Sequence, residues 1–126
     1  MSADVYRGAL EAVDRIVNRE SEADEVLRKT VEVLHDRFAH YSWVGIYLVE
    51  GVGLAPGPSK GEQATASEIA LPIAYEGRVV GEIRVHSEAP TAFGDEDRVF
   101  LERVALLISP HGLVAWDTGG VAWSDL

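Results

Sequence analysis

The chain has 126 residues, 47% of them hydrophobic and 25% charged, which is the size and composition of one folded domain with a single core. Acidic residues outnumber basic ones by 21 to 11, and the resulting formal charge of −10 argues against nucleic-acid partners and anionic membrane surfaces, which are bound through clustered Lys and Arg. The sequence has no cysteine, which excludes disulfides, thiolate nucleophiles and cysteine-ligated zinc within these residues.

Two amphipathic helices are predicted first. Apolar residues recur at three- and four-residue spacing from 2 to 18, and again from 23 to about Phe38. Ser21 lies just before the second stretch and is its predicted N-cap, with acidic residues following in the first turn. The start of the chain has neither a basic segment nor a long apolar one, so we expect no secretion signal and a cytoplasmic location. The longest apolar runs are too short for a membrane span.

A central strand is predicted over 43–49, "WVGIYLV". Aromatic and β-branched residues dominate this stretch, and both of its faces are apolar apart from Gly45, as expected for a strand covered on both sides. The next segment, 50–66, is rich in Gly, Pro and small polar residues. There we predict a turn, a short strand near 52–55 and then a loop.

A β-hairpin is predicted over 67–87, with its turn at Glu76-Gly77. Pro72 indicates an edge position or a bulge, and Gly81 indicates a place where another backbone or a bulky side chain comes close. Simple alternation puts a largely polar set on one face of the second strand, which we expect to meet water or a polar groove: Val80, Glu82, Arg84 and His86.

The last predicted helix begins at Gly94 or Asp95 and ends at Pro110. Its first turn reads Asp-Glu-Asp at 95–97. These acids could be a catalytic pair, but helix capping explains them more simply. The element order, helix, helix, strands, helix, predicts an α+β fold with a mainly antiparallel sheet.

An apolar segment follows the last helix. It carries Trp116 and Trp123, and each tryptophan can bury a large area. We therefore divide the chain into a domain, 1–110, and an apolar C-terminal tail, 111–126.

The usual catalytic and metal-binding patterns are not found. The histidines have no metal-site spacing, and His35 and His40 lie five apart without an H-E-x-x-H pattern. The stretch "GVGLAPG" lacks the third glycine and the helix that complete a dinucleotide fingerprint, and no G-x-S-x-G occurs. We predict no catalytic residues, no metal site and no cofactor. One polar pair is predicted between His86 and Glu68 on neighbouring strands.

Three stretches together resemble a GAF domain: "YSWVGIYLVEG", then "SEIALPIAYEGRVVGEIRVHSEAP", then "FGDEDRVFLERVA". The resemblance covers roughly residues 5–109. "WVGIYL" and the "GPSKG" element at 57–61 look more like the branch that holds the free methionine-R-sulfoxide reductases than like phytochrome or phosphodiesterase GAF domains. The resemblance implies a GAF-like sheet with two N-terminal helices and one C-terminal helix packed on one face.

Several residues depart from the pattern of that branch. Its enzymes use cysteine thiols, and they carry acidic residues at the end of the strand after the central glycine, where this chain has Arg84 and His86. Only Glu68 fits the family's acidic position. Arg84 and His86 could instead hold an anion through charge-assisted hydrogen bonds. The candidate ligand-binding residues are therefore Glu68, Arg84 and His86, together with Trp43 and Tyr47 on the central strand.

A second departure is the short connection between Gly61 and Ser67. GAF domains normally have a strand and a helical excursion there, which covers the ligand pocket. An apolar sheet face without that cover predicts an interface. We expect either the tail, through Trp116 and Trp123, or a second subunit to pack on it. The resemblance also implies a homodimer through the terminal helices, 2–18 and 95–109.

Three functions are compatible with these residues. The first is a non-catalytic GAF-like module that binds a small molecule or a protein partner in signalling or regulation. The second is a divergent enzyme related to the free methionine-R-sulfoxide reductases, which would need chemistry without a thiol. The third is an interaction module that forms a homodimer, and it is compatible with the first. No cofactor is implied, because a linear tetrapyrrole or a cyclic nucleotide would need the lidded pocket that the short connection removes.

Overall fold

The structure, a computed structural model, describes the backbone of residues 3–116 and the side chains of residues 3–112. The predicted interface residues Trp116 and Trp123 therefore lie outside the residues whose side chains are described. Three helices and four strands succeed one another along the chain: α1 Ala3–Arg19, α2 Ala23–Arg37, β1 Trp43–Glu50, β2 Gly53–Gly61, β3 Ser67–Tyr75, β4 Arg78–Ser87 and α3 Asp95–Trp116.

The four strands form one antiparallel sheet with the order β2-β1-β4-β3. The prediction that 43–49 is a central strand is confirmed, because β1 pairs with β2 on one side and β4 on the other. β3 is an edge strand, as Pro72 indicated. Glu76 and Gly77 close the β3–β4 hairpin with positive φ values of 52° and 78°, the conformation that a tight two-residue turn requires.

The helices form a layer on one face of the sheet. α2 contacts β1 and β2, α3 contacts β3, β4 and β1, and α1 packs across α2 and α3. The core lies between this layer and one side chain set of the sheet. That set consists of Val44, Ile46 and Leu48 on β1, Ile83 and Val85 on β4, and Ile69, Leu71 and Ile73 on β3. None of the described helices is long and apolar enough to cross a membrane.

The segment after β1 differs from the prediction of a short strand and a loop. β2 extends over nine residues, from Gly53 to Gly61, and contains Pro56 and Pro58. Proline lacks the N–H that a central strand needs on both sides, but β2 is an edge strand with one unpaired side. The pairing shifts register between Gly45 and Tyr47, which accommodates this irregular strand.

Two helix boundaries also differ from the predictions. Glu22, not Ser21, occupies the N-cap position of α2, and no side chain caps that end. α3 does not end at Pro110, as predicted, but continues to Trp116. Pro110 cannot donate to the Leu106 carbonyl four residues earlier, but the Ser109 hydroxyl donates to that carbonyl instead, at 2.9 Å.

The alternation of β4 breaks near its start. Val79 pairs with Ala74 and Gly81 pairs with Ile73, which leaves Val80 as an extra residue. This bulge turns Val80 into the core, with 6% of its surface exposed, and leaves Val79 at 55%. The prediction that Val80 shares a face with Glu82 is therefore wrong.

Candidate functional site

The face of the sheet opposite the helices carries the polar residues of β4. We call it the polar face. In the strand register His86 lies opposite Trp43 of β1 and opposite Glu68 of β3, and Arg84 lies opposite Gly45 of β1. Since paired residues point to the same side of a sheet, the structure brings all the predicted ligand-binding residues onto this face: Trp43, Tyr47, Glu68, Arg84 and His86.

An aromatic wall forms one part of the polar face. The Trp43 indole lies across Gly45, and a Cβ atom at Gly45 would overlap its ring. The ring centroids of Trp43 and His86 are 4.6 Å apart, and those of Trp43 and Tyr47 are 6.4 Å apart. Between this wall and β2 lies a groove of about 220 Å³, lined by Trp43, Gly45, Ile46, Tyr47, Pro56, Gly57, Ser59 and Gln63. Trp43 and Tyr47 line this groove, whereas Glu68, Arg84 and His86 lie beside it.

Arg84 is held among two carboxylates and an aromatic ring. Its Nη2 atom donates to both carboxylate oxygens of Glu82, at 3.3 Å each. Its guanidinium carbon lies 4.5 Å from the centroid of the Tyr47 ring, a cation–π arrangement. Its Nε atom is 3.9 Å from a Glu68 oxygen, too far for a hydrogen bond, and this buried nitrogen has no other partner.

His86 is 8% exposed and is contacted from two sides. Its Nδ1 atom accepts a hydrogen bond from the backbone N–H of Ala64, at 3.3 Å. A nitrogen that accepts carries no proton, so the ring is the neutral tautomer with its proton on Nε2. Nε2 lies 2.8 Å from Oε2 of Glu68, but not along the direction of its N–H bond, so the contact is electrostatic and Nε2 makes no hydrogen bond. The predicted pair of His86 and Glu68 is thus present.

The charge of the polar face is not the cationic one that Arg84 and His86 suggested. Glu68 and Glu82 both approach Arg84, and His86 is neutral. The cluster therefore carries two carboxylates against one guanidinium. The Glu68 side chain is 49% exposed, so it is the member of the cluster that solvent and a dissolved molecule reach most readily.

A second polar cluster, which sequence reasoning did not predict as a group, surrounds Asp97. This carboxyl is 4% exposed and accepts four hydrogen bonds. The donors are the hydroxyls of Tyr6 at 3.1 Å and Tyr41 at 2.8 Å, Nε2 of His40 at 3.0 Å, and the Gly94 N–H at 3.0 Å. The cluster ties α1, the loop before β1 and the first turn of α3 to one buried charge.

The donors around Asp97 change several pKa values. Burial by itself would raise the pKa of Asp97, but the hydrogen bonds from Gly94, His40 and Tyr41 outweigh it and hold the pKa below the ordinary value of 3.8. Burial and the adjacent Asp97 charge raise the pKa of Tyr6 to about 12, and they also raise that of Tyr41. Both tyrosines therefore remain protonated donors. The capping expected of the acids at 95–97 is present in the bond from Gly94 to Asp97, the position at which a capping box places its acid.

No candidate metal site is found among the described residues. Between residues 3 and 112, no three side chains of His, Asp or Glu are grouped so as to hold a metal ion.

The fold matches those of known GAF structures. A free methionine-R-sulfoxide reductase from Neisseria meningitidis, in complex with its substrate, is 21% identical and covers 94% of this chain and 95% of its own, with a TM-score of 0.80. A candidate GAF sensor protein from Burkholderia vietnamiensis is 21% identical, and the match covers 86% of this chain and 94% of that protein, with a TM-score of 0.79. The GAF domain of an Acinetobacter phosphoenolpyruvate-protein phosphotransferase is 16% identical, and the match covers 96% of this chain and 100% of that domain, with a TM-score of 0.78.

The chain therefore has the GAF fold, as the sequence resemblance implied. No protein-family model matches the sequence, and no curated protein matches it. At these identities the likeness shows the fold, and the neighbours include both enzymes and non-enzymatic GAF domains. The function therefore has to be inferred from the residues of this chain.

Proposed function

We propose that this chain is a non-catalytic GAF-like module that binds one small polar molecule on its polar face, in a signalling or regulatory role. The observation that carries the proposal is a pair of buried donors without hydrogen-bond partners, Nε of Arg84 and Nε2 of His86, which lie 3.9 Å and 2.8 Å, respectively, from the half-exposed carboxylate of Glu68. A buried donor without a partner costs about 1–3 kcal/mol, so a ligand that supplies acceptors gains that amount.

The same residues indicate the chemistry of the ligand. Acceptor atoms, such as those of a carboxylate, suit Arg84 and His86, whereas a cationic or neutral donor suits Glu68. The aromatic wall of Trp43 and Tyr47 favours an apolar or cationic portion stacked on it. A groove of about 220 Å³ is smaller than the sites of drug-sized ligands. These features favour a compact zwitterion, of which a free amino acid or its derivative is the simplest kind.

Two further facts support a binding role without catalysis. The thiols of the sulfoxide reductases have no counterpart, since these 126 residues include no cysteine. The neighbour from Neisseria meningitidis was solved with its substrate, so a GAF fold of this shape can hold a small molecule. The alternative, a divergent reductase-like enzyme, would need chemistry without a thiol, and no nucleophile is hydrogen-bonded to a base among the described residues of the polar face.

Native mass spectrometry of the purified protein is the first experiment. A reproducible small adduct identifies a retained ligand directly. The protein is then titrated by calorimetry with free amino acids, including methionine and both of its sulfoxides, and with matched amines and carboxylates that carry only one charge. We expect a zwitterion to bind and the singly charged analogues to bind at least tenfold more weakly. Equal binding of all three classes, or of none, contradicts the proposal.

Two substitutions and one control test whether the ligand binds on the polar face. Glu68→Gln and Arg84→Ala are expected to weaken binding at least tenfold, because each removes one charge that faces the ligand. Glu11→Gln, an exposed substitution on α1, is the matched control and should leave the affinity unchanged. If a ligand binds the two polar-face variants as tightly as it binds the unmodified protein, the site lies elsewhere.

A second function is favoured by the outer surface of α1 and α3. A largely apolar groove of about 490 Å³ lies between these helices, lined by Ala3, Tyr6, Arg7, Leu10, Asp95, Glu96, Val99, Phe100 and Arg103. Val99 and Leu106 are exposed and, seven residues apart, lie on the same side of α3. We propose that this surface forms the homodimer that the resemblance implies. Both signs of charge rim the groove, Arg7 and Arg103 against Asp95 and Glu96, so it can complement a second copy.

Light scattering coupled to size-exclusion chromatography tests the dimer. The unmodified protein is expected at twice the mass of one chain, and Leu106→Glu is expected to shift it to one chain by burying a charge in the interface. Val52→Glu, at an exposed valine in the β1–β2 turn, is the control. A monomer at high concentration, or a dimer that Leu106→Glu leaves intact, contradicts this proposal.

A further inference from the structure

The connection between β2 and β3 lies over the polar face. We call residues 62–66 the strap. Its first residue, Glu62, donates its backbone N–H to the Ser42 carbonyl at 3.0 Å, and Ala64 donates its N–H to Nδ1 of His86 at 3.3 Å. Gln63, between these two anchors, is one of the residues that line the groove beside Trp43. The strap thus forms part of one side of the groove.

The anchor at Ala64 depends on the protonation state of His86. In the neutral ring Nδ1 has a lone pair that accepts the Ala64 N–H. In the imidazolium both ring nitrogens carry protons, so Nδ1–H would point at the N–H of Ala64, and two donors would face each other. Protonation therefore converts the bond that fastens the strap into a repulsive contact.

We propose that His86 is a pH-dependent latch for the strap: the neutral imidazole holds residues 62–66 over the groove, and the imidazolium releases them. This inference goes beyond the binding role and describes how access to that site is regulated, so its consequence for ligand affinity rests on the proposed function. The latch itself is a property of the protein without ligand.

The groups around His86 determine which contacts of the charged ring are favourable. Glu68 of β3 lies 2.8 Å from Nε2 and attracts an imidazolium, whereas Arg84 of the same strand as His86, which is partnered by Glu82, repels it. β1 contributes the uncharged ring of Trp43, and the strap itself contributes the exposed carboxylate of Glu62. Protonation therefore strengthens the contact with Glu68, which is already at 2.8 Å, and at the same time makes the contact with Ala64 repulsive. Release of Ala64 lets Gln63 leave the groove and exposes the aromatic wall.

Nuclear magnetic resonance of the ligand-free protein tests the latch. The Ala64 amide signal and the His86 ring Cε1–H signal are followed from about pH 8 to about pH 5, the range in which histidines commonly titrate. We expect the two signals to shift with the same midpoint. The hydrogen-exchange protection of the Ala64 amide should fall about tenfold on protonation, while that of Ile83 in β4 stays constant. An Ala64 amide that does not follow the His86 titration overturns the proposal, and this readout needs no variant.

Two substitutions separate the latch from other titrating groups. His86→Asn keeps an acceptor near the position of Nδ1 but cannot be protonated, so the Ala64 signal should become independent of pH. His35→Gln is the control, because His35 lies close to Gly61, the residue just before the strap, and its titration could disturb the strap in another way. We expect His35→Gln to leave the Ala64 titration in place. The latch is contradicted if the Ala64 signal no longer titrates in His35→Gln, or if it still titrates in His86→Asn. Since no ligand is present, failure of the binding proposal does not affect this result.

Discussion

The Tyr41 hydroxyl donates a 2.8 Å hydrogen bond to the buried carboxylate of Asp97, 56 residues further along the chain. Tyr41 itself is 1% exposed and stacks on Phe38, with 4.7 Å between the ring centroids. The bond therefore joins the loop before β1 to the first turn of α3 inside the core. A charge in this position is stabilising only while its donors are present, so both the donors and the charge can be tested by substitution.

Tyr41→Phe is expected to lower the free energy of unfolding by about 2 kcal/mol, the usual range for a hydrogen bond to a buried charge. The phenylalanine ring fills the same space, so the loss reflects the missing donor to Asp97 and not a cavity. Urea denaturation measures the difference. Tyr75→Phe, a partly buried tyrosine at the end of β3, is the control and should change the stability by a small fraction of that amount. Equal losses in both variants would show that Asp97 does not depend on Tyr41.

The stability of the protein should decrease in acid in a way that depends on Asp97. Because the pKa of Asp97 in the folded state is below 3.8, the ionised carboxyl stabilises the fold. This contribution is complete well above that value and disappears as the pH falls through the folded-state pKa. The difference in unfolding free energy between the unmodified protein and Asp97→Asn should therefore stay constant above about pH 5 and shrink as the pH falls below 3.8. Asp14→Asn removes an exposed carboxylate on α1 and is the control. Its unfolding free energy should change with pH in the same way as that of the unmodified protein.

Gly81→Ala is expected to destabilise the protein by about 2 kcal/mol or more, because a Cβ atom there would overlap the backbone carbonyl of Tyr47. That carbonyl belongs to the paired strand β1 and cannot move without disturbing the sheet. Gly53→Ala at the start of β2 is the matched control, since its Cβ would meet no atom within 4 Å. Thermal denaturation compares the two variants. A Gly81→Ala protein as stable as Gly53→Ala would mean that the close approach of the two strands is not required.

The bulge in β4 predicts losses of stability of different size at two adjacent valines, Val79 and Val80. Val80→Ala should cost about 2 kcal/mol, because the side chain is buried against Gly112 of α3 and its removal leaves a cavity. Val79→Ala should cost less than about 0.5 kcal/mol, since Val79 is largely exposed. Urea denaturation of the two single variants measures both. A larger loss of stability in Val79→Ala than in Val80→Ala would contradict the bulge and favour simple alternation along β4.

The sequence by itself determined the helices, the central strand and the hairpin, whereas the pairing of β1 with β4 and the bulge in β4 placed the predicted ligand-binding residues on one face. The helices, the central strand and the hairpin depend on local rules: the 3.6-residue period of a helix, the two-residue period of a strand, and a turn that needs two residues with positive φ. The turn at Glu76-Gly77 alone would pair Glu68 with Val85, and the bulge at Val80 shifts the register by one residue so that Glu68 lies opposite His86. The resemblance to GAF domains rested on the same local patterns.

Only the tertiary structure decided the features that depend on distant partners. Pro56 and Pro58 fit within β2 because β2 is an edge strand, and α3 continues past Pro110 while the Ser109 hydroxyl donates to the Leu106 carbonyl that Pro110 leaves free. Asp97 looked like an ordinary helix-capping acid, since its donors Tyr6 and Tyr41 are 91 and 56 residues away. The hydrogen bond that Nδ1 of His86 accepts likewise comes from the Ala64 amide, in a strap whose path no local period encodes. Backbone periodicity is a local property, whereas the hydrogen bonding of a buried polar group is set by whichever segments the fold brings around it.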